Sequence, residues 1–282
     1  MTTIPLHGSL VANHQLGATM FEGKILRDRV AIITGGGTGL GRAFALRFSE
    51  LGAKIAIASR NPEHLEPTRA EIVQQGGGAI AIPTDVRAPE QVDAMVEQVV
   101  KAFGRVDILV NNAAGNFICK AEKLSPNGWR AVVDIVLNGS FFCSRAVGQK
   151  MIAQKYGKIL NIVTTYWATG NPGTIHSAAA KAGVVAMTKT LAAEWGRHNI
   201  RVNAVAPGPF PTEGAASRLF VTKEDIERMV KGIPAGRLGD PRELANLAAF
   251  LVSDYADYIN GEVVTIDGGA SVNFPMFDWE KD

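Results

Sequence analysis

Short apolar runs rich in β-branched residues alternate with longer stretches of helical periodicity along almost the whole chain. The apolar runs predict strands at Val30–Thr34, Lys54–Ala58, Ala79–Pro83, Asp107–Val110, Lys158–Val163, Arg201–Val205 and Glu262–Ile266. Between them, helical patterns occupy Leu40–Leu51, Glu63–Gln75, Pro89–Phe103, Pro126–Lys150, Ile175–Trp195 and Pro241–Ser253. Regular alternation of this kind predicts βαβ units and therefore an α/β protein built on a parallel sheet. Most of the strands are apolar on both faces, as expected when helices cover both sides. The run Gly76-Gly-Gly78 reads as a helix-ending turn rather than a boundary. With no linker or repeat, the pattern predicts one domain over residues 24–282, preceded by an extension over 1–23.

Composition narrows this picture only a little. A chain of 282 residues, 46% hydrophobic and 20% charged, suits one large globular domain. A net charge of +2 gives no nucleic-acid footprint. Cys119 and Cys143 are too few for a disulfide framework and have no metal-ligand cluster around them, so plain thiols in a reducing compartment are expected. No continuous apolar run reaches the roughly 18 residues that span a bilayer. The first 23 residues lack Lys and Arg, which argues against a secretory or transit peptide. A cytoplasmic location is the expectation, with the head as a surface extension or subunit contact.

Chemistry enters at Thr34-Gly-Gly-Gly-Thr-Gly-Leu-Gly41, directly after the first strand and opening a helix. Gly35, Gly37, Gly39 and Gly41 let backbone approach a pyrophosphate, while Thr38 and Leu40 begin a helix whose N-terminal amides favour an anion. The second strand ends in Ser59-Arg60, where an NAD site usually carries an acid for the ribose hydroxyls. A hydroxyl and a guanidinium suit a 2′-phosphate instead, so NADP(H) is the expected cofactor.

Asp85-Val86 follows the third strand and Asn111-Asn-Ala-Ala-Gly115 the fourth; Lys181 lies in a small-residue helix, Pro207-Gly-Pro209 follows the sixth strand, and Asp267-Gly-Gly269 lies near the end. On these motifs the chain from Leu26 to Gly269 resembles the short-chain dehydrogenase/reductase family. The resemblance implies a Rossmann-like, doubly wound, seven-stranded parallel sheet with helices on both faces. It also implies that Asp85, with Val86 and Asn111, lines the cofactor site, Asp85 holding the adenine. Pro207, Gly208, Pro209 and Thr212 would flank the nicotinamide end.

Three of four expected catalytic positions depart from the ordinary family pattern. Lys181 is present, but Ser177 stands at the usual Tyr position, Thr164 at the Ser position and Val136 at the helix Asn position. A phenol beside a lysine can have its pKa, about 10 when unperturbed, lowered enough to exchange a proton with a carbonyl oxygen. An aliphatic hydroxyl is far too weak an acid for that, so ordinary carbonyl reduction is handicapped. Tyr166 offers another phenol just beyond the fifth strand, and Asn116 follows the fourth. Both would emerge at the carboxyl edge of the sheet, where a phenol O–H and an amide N–H can form an oxyanion hole.

This pattern of changes is similar to that of the 2,4-dienoyl-CoA reductases of the mitochondrial type. It is carried by Asn111-Asn-Ala-Ala-Gly-Asn-Phe117, Leu124-Ser-Pro126, Asp134-Ile-Val-Leu-Asn-Gly139, Tyr166, Ser177-Ala-Ala-Ala-Lys-Ala-Gly183 and Ala216-Ser-Arg-Leu219. The resemblance implies NADPH-dependent reduction of 2,4-dienoyl-CoA to 3-enoyl-CoA, an auxiliary step of unsaturated fatty acid β-oxidation. Tyr166 and Asn116 would bind the thioester oxygen, Lys181 the nicotinamide ribose, and Ser177 would support the cofactor end. Arg87, Phe117, Ser125 and Arg218 would touch the acyl-CoA. His176 reads as structural or as part of the rim, and Trp167 as either a pocket wall or packing. Glu194 and Asp254 read as surface or capping charges. The resemblance further implies a homotetramer joined through the Pro126–Lys150 and Ile175–Trp195 helices. Two alternatives stay open: a reductase of another enone, enoyl thioester or carbonyl compound, and a silent NADP(H)-sensing protein.

Overall fold

A computed structural model describes residues 23–212 and 223–273. Seven strands form one parallel sheet: β1 Val30–Thr34, β2 Lys54–Ser59, β3 Ala79–Pro83, β4 Ile108–Asn111, β5 Gly157–Ile162, β6 Ile200–Pro207 and β7 Val263–Ile266. Their spatial order is β3-β2-β1-β4-β5-β6-β7. The chain therefore winds outward from β1 in one direction and from β4 in the other, and the switch between β1 and β4 opens a crevice at their carboxyl ends.

The side-chain alternation of each strand divides the core in two. Ala31 and Ile33 of β1, Ile55 and Ile57 of β2, and Ile108 and Val110 of β4 point to one face. There they meet Phe44 and Phe48 of α1 (Gly39–Glu50) and Leu244 and Ala248 of α8 (Pro241–Leu251). Val30, Ile32, Ala56, Ala58 and Leu109 point to the other face. They pack on Met95 and Val99 of α3 (Pro89–Phe103), Cys143 and Val147 of α5 (Gly139–Gln154), and Leu191 of α6 (Ile175–Trp195). Burial of each Val, Leu, Ile, Met or Phe among these stabilises by about 1.5–3 kcal/mol, against roughly 0–1 kcal/mol for an exposed ion pair. Packing of both faces, not surface charge, therefore holds the frame that positions the site.

Strand ends differ from the sequence expectation by a residue or two, and one helix differs more. The segment expected as a single helix over Pro126–Lys150 comprises α4 (Pro126–Val133), a wider π-helical turn at Asp134–Asn138, and α5 running on to Gln154. The Val136 carbonyl in that turn accepts the Ser140 hydroxyl at 2.6 Å, and Asn138 donates to Asp134 at 2.9 Å. These side chains take up polar groups that the regular ladder leaves loose. The helical stretch Pro126–Gln154 contains an 18-residue segment of mean hydropathy 1.3, long and apolar enough by those measures to cross a membrane, although it has no unbroken apolar run. Half of that segment is buried inside the protein, where α5 packs on α3, β4 and β5.

Two further helices complete the layers. α2 (Pro62–Gln74) is capped by Asn61, whose side chain accepts the Glu63 amide, and ends at Gly76 with φ +82°. The helix-ending role expected of the glycine run is what the backbone shows there. α7 (Lys223–Lys231), absent from the helices expected from the sequence, is polar overall but sets Ile226, Met229 and Val230 on one face.

Candidate active site

The crevice at the carboxyl ends of β1 and β4 is built on glycine. Gly35 adopts φ +64° and its amide donates to the Ala58 carbonyl at 2.7 Å, which turns the chain sharply off β1. A Cβ on Gly41 would lie 2.1 Å from the Gly35 carbonyl oxygen, and one on Gly37 would lie 2.2 Å from that of His64. Only glycine allows α1 to start so close to the turn. Thr38 caps α1 without a side-chain bond to its amides, and Leu40 packs against the core beneath.

The bonds that pin this loop come from Asn112. Its side-chain amide donates to the carbonyls of Thr34 (3.0 Å) and Gly35 (3.2 Å), while the Thr34 hydroxyl accepts the amides of Asn112 and Ala113 at 3.0 Å each. Asn111 turns the opposite way. It is buried and its side chain donates to Ser144 at 3.0 Å and Asn161 at 2.8 Å, leaving its Oδ1 without a hydrogen-bond partner. Sequence reasoning singled out Asn111 and passed over Asn112. Strand alternation was the signal available, because neighbouring residues at a strand end face opposite sides.

Gly35, Thr38, Ser59, Arg60, Asp85 and Val86 line one pocket in this crevice. The Ser59 hydroxyl donates to the Asn61 carbonyl at 3.2 Å, and Arg60 is exposed at the rim. Val86 is buried against Gly139, where a Cβ would come within 2.7 Å of it. Asp85 is bound by Arg87 through two Nε contacts at 2.9 and 3.0 Å and a backbone amide at 3.0 Å. The Arg87 hydrogen bond holds the Asp85 carboxyl below its usual range. The structure thus shows Arg87 engaged with Asp85, while Arg87 itself does not line the pocket.

The far wall comes from β6. Gly208 donates to the Ile266 carbonyl at 2.9 Å, and Pro209 accepts the Gly239 amide at 3.1 Å, which fixes the Pro207–Pro209 turn beside Asp267. Thr212 reaches across to the glycine loop: a Cβ on Gly39 would be 3.4 Å from the Thr212 Cβ.

Beyond β5 the chain forms a tight turn at Thr165–Trp167, with the Thr164 hydroxyl accepting the Tyr166 amide at 3.2 Å. The turn sets the Tyr166 phenol between two partners. Asn116 Nδ2 donates to the phenol oxygen at 3.3 Å, and Ser177 Oγ lies 3.3 Å from the same oxygen. Adjacent pairing of β4 with β5, in register at Asn111 and Asn161, explains why loops fifty residues apart meet. Ser177 and Lys181 are both buried on α6. Lys181 does not bond the phenol; its ammonium donates to the Ile162 carbonyl at the end of β5. Burial pushes its pKa down to about 8.

Around this cluster, Phe117 is 39% exposed and packs edge-on against His176, with ring centroids 4.5 Å apart. His176 is completely buried, which decides between its two readings in favour of the structural one. Ser125 caps α4, accepting the Gly128 amide at 3.0 Å. Trp167 packs on the cluster formed by Val163, Val184 and Ala206. Glu194 is exposed, and Asp254 pairs with Arg29 at 2.7 Å and accepts the Tyr156 hydroxyl at 2.7 Å. Arg218 lies outside the described residues. Among the described residues, no group of His, Cys, Asp and Glu is arranged to hold a metal.

The chain that forms this crevice matches known proteins in sequence as well as shape. The family model described as enoyl-(acyl carrier protein) reductase matches residues 35–271. A Bacillus subtilis protein named as a probable 2,4-dienoyl-CoA reductase, (2E)-enoyl-CoA-producing, is 51% identical, over 88% of this chain and 98% of its own length. The Pongo abelii peroxisomal 2,4-dienoyl-CoA reductase, (3E)-enoyl-CoA-producing, is 42% identical, over 91% of this chain and 88% of its own. The crystal structure of a short-chain dehydrogenase from Bacillus anthracis superposes with a TM-score of 0.80 at 49% identity, covering 89% of this chain and 98% of that one. The chain belongs to the short-chain dehydrogenase/reductase family, in which it resembles the 2,4-dienoyl-CoA reductases. It is an oxidoreductase with a nicotinamide-cofactor fold, and the open glycine cradle at Gly35, Gly37 and Gly41 fits such a cofactor.

Proposed function

We propose that this protein reduces 2,4-dienoyl-CoA with NADPH to a 3-enoyl-CoA. The observation that carries the reading is the Tyr166 phenol, with Asn116 and Ser177 both within 3.3 Å and Lys181 bonded elsewhere. When Asn116 and Ser177 donate to the phenol oxygen, its own O–H is free to point at a substrate oxygen. The Asn116 amide keeps a second N–H for the same purpose. Two donors converging on one point stabilise charge developing on a thioester oxygen. Lys181, tied to Ile162, keeps two ammonium protons for the ribose of the cofactor.

When bound, NADPH supplies the hydride, delivered to the δ carbon of the diene. Tyr166 and Asn116 then hold the dienolate oxygen until a proton reaches the α carbon. Arg60 and Ser59 support the choice of NADPH, since a guanidinium at the pocket rim complements a 2′-phosphate. The names of the two relatives specify different product isomers, so the position of protonation is open to direct measurement.

NADPH consumption with a 2,4-dienoyl-CoA, a 2-enoyl-CoA and a 3-ketoacyl-CoA, each repeated with NADH, tests the proposal. Preference for the dienoyl thioester and NADPH supports it; faster turnover of the ketoacyl compound overturns it.

A further inference from the structure

The pocket proposed for an anionic phosphate carries an acid. Of the residues lining it, only Arg60 and Asp85 are charged, and their charges cancel. A lone carboxylate there would repel the 2′-phosphate that Arg60 attracts. The Asp85 backbone is also held in place: its amide donates to the Gln91 side chain at 2.9 Å and its carbonyl accepts the Ala88 amide at 3.0 Å.

Arg87 resolves this conflict of charge. Three N–H groups of this one residue converge on the Asp85 carboxylate: the backbone amide at 3.0 Å, Nε shared between the two oxygens at 2.9 and 3.0 Å, and Nη2 on Oδ2. A guanidinium that meets a carboxylate at two points belongs to the stronger, geometrically defined class of ion pair. The Arg87 hydrogen bond is the main influence holding the Asp85 carboxyl below its usual range, and the Arg60 charge lowers it further. Both guanidiniums therefore act on one carboxylate, Arg60 from within the pocket and Arg87 from outside its lining. The Arg87 side chain is 40% exposed, so the pair adds little to folding stability. What it changes is the charge that a ligand in the pocket meets.

We infer that Arg87 is the positioning residue for Asp85 and a determinant of cofactor choice: by neutralising that carboxylate it leaves Arg60 to give the pocket the net positive charge that a 2′-phosphate requires. The inference rests on the NADPH reading and deepens it. It moves Arg87 from an expected contact of the acyl-CoA to a group that acts on the cofactor through Asp85.

The test is fluorescence titration with NADPH and with NADH, in the absence of acyl-CoA, on wild type, Arg87→Met, Asp85→Asn and the double variant. Wild type is expected to bind NADPH more tightly than NADH. In Arg87→Met the NADPH dissociation constant should rise about 10-fold, the lower end for a charged contact, while that for NADH stays within a factor of about three. Asp85→Asn keeps an acceptor in the pocket but removes the charge, so adding Arg87→Met to it should change NADPH binding by less than about threefold. Arg87→Lys, which keeps a cation beside Asp85, should bind NADPH nearly as wild type does. Raising salt to about 1 M, where the screening length is about 3 Å, should narrow the gap between Arg87→Met and wild type. An equal loss of both cofactors overturns the inference, as does the same loss of NADPH with and without the Asp85 charge. An Arg87→Met variant whose only defect is a raised KM for the acyl-CoA overturns it too. If thermal unfolding shows that Arg87→Met does not fold, Arg87→Gln takes its place in every comparison. Equal binding of both cofactors by wild type overturns the NADPH reading instead, before any variant is compared.

Discussion

The Lys181 ammonium donates to the backbone carbonyl of Ile162, the last residue of β5, and not to the Tyr166 phenol. The lysine is therefore anchored to the sheet edge rather than serving the phenol as a proton relay. Its remaining role in the proposed reaction is to hold the cofactor ribose, and that role depends on its charge.

With a pKa pushed down to about 8 by burial, Lys181 is an ammonium below that pH and increasingly a neutral amine above it. NADPH affinity should therefore weaken as pH rises through about 8, as fluorescence titrations at pH 7 and pH 9 will show. Lys181→Met should weaken binding about 10- to 100-fold, the value of a charge-assisted hydrogen bond, and flatten that pH dependence. Stability of the cofactor-free protein carries the opposite sign. Between about 8 and the unfolded value the unfolded chain binds the proton that the native state has released, so this group's contribution rises with pH. Chemical denaturation across that window measures it.

Tyr166→Phe removes the phenol O–H from a point where the Asn116 amide and Ser177 hydroxyl meet. Loss of one oxyanion donor costs roughly 100- to 1000-fold in rate. We expect that loss in kcat with a dienoyl-CoA, with the NADPH dissociation constant nearly unchanged. Ser177→Ala should cost less, about 10-fold, because it removes a neutral hydrogen bond to the phenol rather than a donor to substrate. Full activity in the Phe variant sinks the mechanism.

Arg60 stands exposed at the rim of the pocket that Ser59 and Asp85 also line. Arg60→Ala should raise KM for NADPH about 10- to 100-fold by removing a charged contact to the 2′-phosphate. KM for NADH should stay within a factor of about two, since that ligand carries no such phosphate. Steady-state kinetics with the two cofactors separates these outcomes. An equal effect on both would move the 2′-phosphate elsewhere.

Gly41→Ala is a test of the cradle itself. The added Cβ would meet the Gly35 carbonyl oxygen at 2.1 Å and the Asn112 amide at 2.6 Å. Relieving such contact displaces the backbone proposed to hold the pyrophosphate and costs about 1–3 kcal/mol, as overpacking does. Thermal unfolding should show the lowered stability, and NADPH titration should show binding largely lost.

The sequence by itself determined the alternating architecture, the glycine loop and the chemical types at the site. Periodicity and glycine spacing are local, so the apolar runs of β1 and β2 and the residues Gly35, Gly37 and Gly41 could be read one segment at a time. Their places after the fourth and fifth strands paired Asn116 with Tyr166, the resemblance implied the thioester oxygen as their ligand, and the structure brings the two side chains to 3.3 Å. What only the tertiary structure decided depends on which strands become neighbours and which way a side chain leaves its strand end. The pairing of β4 with β5 brings Asn116 to Tyr166, and β6 carries Thr212 to the glycine loop. The same pleat turns Asn112 to that loop and Asn111 into the core, a choice that two identical letters cannot express. Arg87 was free in sequence to reach any anion, but Asp85 lies two residues away and takes it. His176 stayed open in sequence between a structural and a rim position, and Phe117, from a loop beyond another strand, closes over it. Burial and partner choice are long-range properties, fixed only when the sheet assembles its loops along one edge.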